Sequence, residues 1–115
     1  MRRGEVYQAN LDPTEGSEQS GRRPVIIVGR DAINNHSPVV IGVPCTTYSG
    51  QKVYNSQILI YPPEGGLTAP TVALGEQITA LSKTRFERLR GTLSPATMAK
   101  LEQALIIALD LPDHS

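Results

Sequence analysis

Residues 16–28, GSEQSGRRPVIIV, set serines, a carboxylate, a carboxamide and two adjacent guanidinium groups directly before a β-branched apolar run. Ser17, Glu18, Gln19 and the Arg22–Arg23 pair are side chains suited to holding a phosphate. Arginine in particular offers a planar fork that donates two parallel hydrogen bonds to phosphate oxygens. A nucleoside triphosphate site fits poorly. The glycines of GSEQSG lack the spacing G-x-x-x-x-G-K-[ST], and a strand follows them where that loop needs a helix. A single phosphodiester asks for less: one cation, one or two N–H or hydroxyl donors, and an open groove. Arg23 meets the first need, because the strand beginning beside it would hold its stem rigid. Thr46 and Thr47, at the far end of VVIGVPCTT, can add hydroxyls, although β-propensity alone also accounts for threonine there.

Other chemistries find less support. Ser17 directly follows Gly16, so the G-x-S-x-G arrangement of a strained nucleophilic serine is absent, and neither histidine has an obvious claim to be its base. The two histidines, His36 and His114, have no second ligand at a usable spacing, and Cys45 is the single cysteine. A closed metal site needs about four ligands, so no metal is expected. His36 reads as a loop residue and His114 as part of a frayed tail. A lone cysteine also excludes an internal disulfide, and inside VPCTT it reads as a small buried hydrophobe.

Short strands must position these residues. Glu5–Leu11 reads as the first, broken by Asp12-Pro13. Pro24–Gly29 is a continuous β-branched run, the pattern of a strand buried on both faces. Ala32–Pro38 is a turn cluster. Val39–Thr47 is a long strand whose Pro44 predicts an edge or a bulge at that end. Tyr48–Asn55 is a polar connector. Gln57–Tyr61 is a strand ended by Pro62-Pro63-Glu64-Gly65-Gly66, and Val72–Leu74 and Gln77–Leu81 are strand-like around Gly75-Glu76. The period then changes. Ser94-Pro95 is an N-cap with proline in the first helical position, and Met98, Leu101, Leu105, Ala108 and Leu109 recur at helical spacing. Pro95–Leu109 is therefore an amphipathic helix, closed by Asp110-Leu111-Pro112. The pattern predicts a mainly β domain: a strongly curved antiparallel sheet of five to seven short strands with a C-terminal helix, such as a β-barrel capped by that helix.

The bulk numbers fit one domain over residues 1–115. Eleven basic and eleven acidic residues cancel, so global charge offers no footprint for nucleic acid. Eight of the cations are arginine, with Arg2, Arg3, Arg22, Arg23 and Arg30 early and Arg85, Arg88 and Arg90 beside Lys83 later. The start, MRRGEVYQANL, has no apolar run after its arginines and does not read as a signal peptide. No segment approaches the roughly 20 apolar residues needed to span a bilayer. A soluble cytoplasmic protein without membrane partners is the expectation.

The blocks DPTEGSEQSGRRPVIIV at 12–28, VPCTT at 43–47 and LGEQI at 74–78 resemble the signature blocks of the MazF/PemK family of toxin–antitoxin ribonucleases, in order and spacing. The opening GEVYQANL and the terminal helix fit as well, so the resemblance spans nearly the whole chain. It implies an SH3-like (CcdB/PemK-type) barrel, a homodimer, and a sequence-specific endoribonuclease that cuts single-stranded RNA without a metal or other cofactor. It implies that Arg23, before the proline, and Thr46, ending the following strand, are catalytic. It implies that Ser17, Glu18 and Gln19 contact RNA, that Gln77 lies near the RNA groove, and that Thr47 beside Thr46 belongs to the same surface. It also implies a cognate antitoxin protein that blocks the groove.

Metal-free RNA cleavage uses the neighbouring 2′-hydroxyl as nucleophile and leaves a 2′,3′-cyclic phosphate and a 5′-hydroxyl. The reaction needs a base, a donor to the phosphorane oxygens and an acid for the leaving oxygen. Arginine stays protonated in proteins, so Arg23 suits charge stabilisation rather than the role of base, with proton donation a secondary option and Thr46 donating a hydrogen bond to the same oxygens. Glu18 and His36 are both open as the base. Arg22 is an alternative to Arg23 for facing the groove; adjacency to proline favours Arg23. Single-stranded RNA is read by stacking bases on aromatic planes and bonding their edges. With four tyrosines and one phenylalanine in the chain, Tyr48 is the candidate platform. A second reading is a non-enzymatic gyrase poison of the same CcdB-like fold, since fold alone does not fix function. Such a binder has no need for an arginine and a threonine converging on a groove.

Overall fold

The computed structural model describes residues 1–13 and 16–112. Its spine is a nine-residue strand, β3 (Val39–Thr47), which changes partners along its length. On one side it pairs with β2 (Arg22–Ile27). On the other side, Val39–Gly42 pair with β6 (Thr79–Ser82) and Cys45–Thr47 pair with β5 (Thr71–Leu74). β1 (Glu5–Asn10) lies between β2 and β7 (Phe86–Thr92), and β4 (Gln57–Ile60) is the outer neighbour of β5. All pairings are antiparallel, in the order β4-β5-β3-β2-β1-β7 with β6 on β3. Seven strands and a C-terminal helix match the expected architecture, but the sheet does not close. β7 and β6 are joined through a 3-10 turn, Lys83–Arg85, and no ladder links them.

Pro44 is not at an edge. It lies buried opposite Val25 in the middle of the sheet. The Val28 N–H donates to the Ile41 carbonyl at 3.0 Å, which makes Ile27–Gly42 and hence Val25–Pro44 non-hydrogen-bonded pairs. The proline nitrogen therefore faces away from β2, into the gap where β3 has left β6 and not yet met β5. The missing donor costs no ladder bond there.

Two apolar layers result. On one face Val6, Ile26, Val43, Cys45, Met98 and Leu101 form the main core. On the other, Ala9, Leu11 and Val25 pack with Leu81 and Phe86. The helix α2 (Pro95–Leu109) starts as the sequence predicts, with the Ser94 hydroxyl accepting from the Thr97 N–H at 3.2 Å. It ends on Asp110 in the left-handed region (φ 53°), where Leu111 N–H reaches the Ile106 carbonyl, a Schellman closure. Its buried stripe is Met98, Leu101 and Ala104 with Leu105 beside them, whereas Leu109 is exposed. α2 rests on β4 and on a 3-10 turn at Gly75–Gln77.

Two segments depart from expectation. Asp31–His36 is a short helix, α1, where the composition reads as a turn. The Asn34 carboxamide donates to the Gly29 carbonyl and to Asp31, holding the chain in that turn. β7 has no apolar alternation to reveal it, because it is an edge strand with mostly exposed side chains and a ladder to β1 broken by two register shifts.

Cys45 is fully buried, and desolvation pushes its thiol up to about 12 from an ordinary 9.0. Above pH 9 the unfolded chain loses this proton while the folded chain keeps it. Stability is therefore complete below that pH and falls by up to about 1.4 kcal/mol per pH unit between roughly 9 and 12. Denaturant melts at pH 8, 9 and 10 should show that fall, reduced in a Cys45→Ala variant, and a disulfide reagent should label Cys45 only in denaturant.

Candidate active site

Arg23 and Thr46 are cross-strand partners in all but the ladder. Val25 faces Pro44 in the β2–β3 register, and two further residues along each strand bring Arg23 opposite Thr46 on the same face. Directly opposed side chains in such a pair are about 5 Å apart at Cβ. The contact forms: Arg23 Nη1 donates to Thr46 Oγ1 at 3.2 Å, and Arg23 Nε donates to the Ser20 carbonyl at 3.0 Å. Both side chains are half-buried. The guanidinium is thus held at two points, and among the described residues its remaining N–H groups have no other partner. Arg22 turns to the opposite face and meets Glu87 on β7 at 3.1 Å. That exposed pair adds little stability, but it aims Arg22 away from Thr46.

The loop before β2 is fixed at its base. The Gly21 N–H donates to Asp12 Oδ1 at 2.9 Å, Leu11 N–H to the Gly21 carbonyl at 2.9 Å, and Arg85 Nη1 to the Asp12 carbonyl at 2.8 Å. Farther out, the Gln19 N–H donates to Gln77 Oε1 at 3.0 Å. Ser17 and Glu18 are exposed. Glu18, Gln19, Pro44 and Gln77 border a half-open groove of about 470 Å³ whose other wall includes Ile78 and Leu81. Arg23 and Thr46 are not among its walls but adjoin it, since Pro44 precedes Thr46 by two residues on the same face and Gln19 precedes Ser20. The groove therefore offers an apolar wall and polar edges beside a rigid cation.

Thr47 is exposed and, by strand alternation, projects from the opposite face to Thr46; its carbonyl accepts from Gln51 Nε2 at 3.1 Å. Tyr48 is half-buried, with its N–H on the Pro70 carbonyl. His36 ends α1, before β3 begins, whereas Thr46 is near the other end of β3. At roughly 3.3 Å per residue, that separation is on the order of 20 Å, so His36 does not reach the Arg23–Thr46 pair. Glu18 is on the groove rim. His114 lies outside the described residues. Among the described residues, no three His, Cys, Asp or Glu side chains come together as a metal cluster, and no helix is long and apolar enough to cross a membrane.

Residues 2–109 match the family of PemK-like, MazF-like toxins of type II toxin–antitoxin systems. The chain belongs to that family. Endoribonuclease MazF9 of Mycobacterium tuberculosis is 38% identical over 116 residues, covering 96% of this chain and 98% of that protein. A solved mycobacterial endoribonuclease in complex with its cognate antitoxin superposes with a TM-score of 0.81 at 30% identity, over 98% of each chain. MazF from Deinococcus radiodurans reaches a TM-score of 0.82 at 20% identity, over 96% of this chain and 97% of that one, a likeness of fold.

Two residues inside the blocks at 12–28 and 74–78, to which the sequence assigns no role, also support the candidate site. Ser20 acts through its carbonyl, which any residue would supply. Glu76 accepts from Gln57 Nε2 at 2.7 Å and Ser56 Oγ at 3.2 Å, contacts that follow from tertiary placement alone.

Proposed function

We propose that this chain is the endoribonuclease toxin of a type II toxin–antitoxin pair, cutting single-stranded RNA at short sequence motifs without a metal. It works as one domain over residues 1–115, as a cytoplasmic homodimer that a cognate antitoxin protein inhibits by covering the groove. The observation that carries the site is the 3.2 Å contact between Arg23 and Thr46 beside a half-open groove. Family membership and the endoribonuclease relatives support the reaction class.

In the reaction the 2′-oxygen attacks phosphorus, the P–O5′ bond breaks, the 2′-hydroxyl loses its proton and the departing 5′-oxygen gains one. Negative charge grows on the non-bridging oxygens. Arg23 donates to them from a fixed position, and the Thr46 hydroxyl adds a second donor; such preorganised donors act on charge that develops in the transition state. Glu18, Gln19 and Gln77 border the groove where base edges are read, with exposed Ser17 next to Glu18 on the same loop. Thr47, on the face opposite Thr46, does not line that groove and meets RNA only where it passes around the end of β3. Zero net charge and few aromatics suit a site that reads a few bases locally. The gyrase-poison reading leaves the Arg23–Thr46 pair without a purpose and is not favoured.

Purified protein with mixed-sequence single-stranded RNA in excess EDTA tests this reading. Discrete cuts with 5′-hydroxyl and cyclic-phosphate ends are expected, and the aligned ends give the motif. Loss of cleavage in EDTA with recovery on adding a divalent cation would overturn the metal-free reaction. Inert RNA with inhibited gyrase would replace the reading with the poison.

A further inference from the structure

Three hydrogen bonds, joined by the covalent step from Gln19 to Ser20, run in series from the Gly75–Gln77 turn to Thr46. Gln77 Oε1 accepts from the Gln19 N–H at 3.0 Å. One residue on, the Ser20 carbonyl accepts from Arg23 Nε at 3.0 Å. Arg23 Nη1 then donates to Thr46 Oγ1 at 3.2 Å. Among the described residues, the Gln19–Gln77 bond is the one that ties segment 16–19 to another element. The loop base is held at Asp12 and Gly21, but the Ser20 carbonyl that orients Arg23 sits on the outer side of that base.

The turn that carries Gln77 is itself pinned. The Glu76 carboxylate accepts from Ser56 and Gln57. Gly75 approaches so closely that a Cβ there would run into the Ser56 carbonyl, with Leu105 of α2 alongside. Gln77 thus projects from a buttressed platform, and its oxygen is directed at a backbone donor of the loop.

From this we infer that Gln77 is a positioning residue for the reaction. Its carboxamide oxygen fixes the Gln19 amide, and through the adjoining Ser20 carbonyl it holds the Arg23 guanidinium against the phosphate. This role is distinct from any contact its NH₂ group makes with RNA, and it rests on the nuclease reading above. Small displacements of a preorganised group cost rate, and one neutral hydrogen bond accounts for about a tenfold change.

The two roles separate by substitution. Gln77→Leu removes the oxygen and the NH₂ at similar size. Gln77→Glu keeps an acceptor oxygen and removes only the NH₂. Measured at saturating RNA, Gln77→Leu should lower kcat about tenfold, and Gln77→Glu should restore it to near the parent value. The added carboxylate would appear in KM, more strongly at low salt. Amide exchange by NMR on RNA-free protein should show the Gln19 N–H exchanging faster in Gln77→Leu and at the parent rate in Gln77→Glu. Unchanged Gln19 exchange in Gln77→Leu would overturn the inference, and so would faster exchange with an unchanged kcat. Equal loss of kcat in both variants would assign Gln77 to RNA contact through its NH₂ instead. If the parent cuts no RNA, the nuclease reading fails, while the exchange comparison still reports whether the clip exists.

Discussion

An Arg23→Ala variant is expected to cleave RNA about 10²–10³-fold more slowly than the parent while remaining folded, the usual consequence of deleting one preorganised donor to a developing oxyanion. Arg23 is held by the Ser20 carbonyl on Nε and by Thr46 Oγ1 on Nη1, so its direction is set before RNA arrives. Its side chain is half-buried at the end of the β2–β3 ladder and outside both apolar cores. Its removal therefore costs a few hydrogen bonds and little packing. Arg23→Lys should recover only a small part of the rate, since an ammonium cannot reproduce the fork. Arg22→Ala should cleave at close to the parent rate, because Arg22 is committed to Glu87 on the other face. Single-turnover cleavage of one RNA containing the mapped motif, with circular dichroism melts of each variant, makes the comparison. If Arg22→Ala is the slow variant and Arg23→Ala the fast one, the site is assigned to the wrong guanidinium.

Leu101→Ala should produce the largest loss of stability. Leu101 has no exposed surface and joins α2 to the main core alongside Val6, Ile26, Val43 and Met98. Truncating a buried leucine removes its burial and leaves a cavity, at about 2–5 kcal/mol. That is a large share of the roughly 5–15 kcal/mol that holds a small domain folded, and it corresponds to a melting temperature lower by roughly 10–20 °C. Leu101→Met keeps most of the volume and should cost under about 1.5 kcal/mol. Lys100→Ala, at an exposed neighbour on the same helix, should melt within about 0.5 kcal/mol of the parent. Urea melts monitored at 222 nm supply all three values. A Leu101→Ala protein as stable as Lys100→Ala would mean that α2 is not anchored through this residue.

Local signals carried much of this molecule. The Ser94-Pro95 cap and the spacing of Met98 and Leu101 mark α2 to its last residue, because caps and helical periodicity depend only on near neighbours. The β-branched runs around Val25–Val28 and Val39–Val43 mark the two central strands for the same reason. Tertiary placement decided the rest. α1 forms because Asn34 finds the Gly29 carbonyl. β7 forms because β1 offers it an edge, and charged side chains on a solvent-facing edge leave no pattern to read. Pro44 is admitted to a central strand because its nitrogen faces a gap between two partners. The site divides in the same way. The residue types in GSEQSGRRP and CTT belong to the sequence and state what chemistry is at hand. That Arg23 rather than Arg22 meets Thr46 follows from a strand register with Val25 opposite Pro44. That Gln77 reaches the loop follows from folding a turn 58 residues away onto it. Residue identity is local, but a register and a long-range contact exist only once the strands have paired.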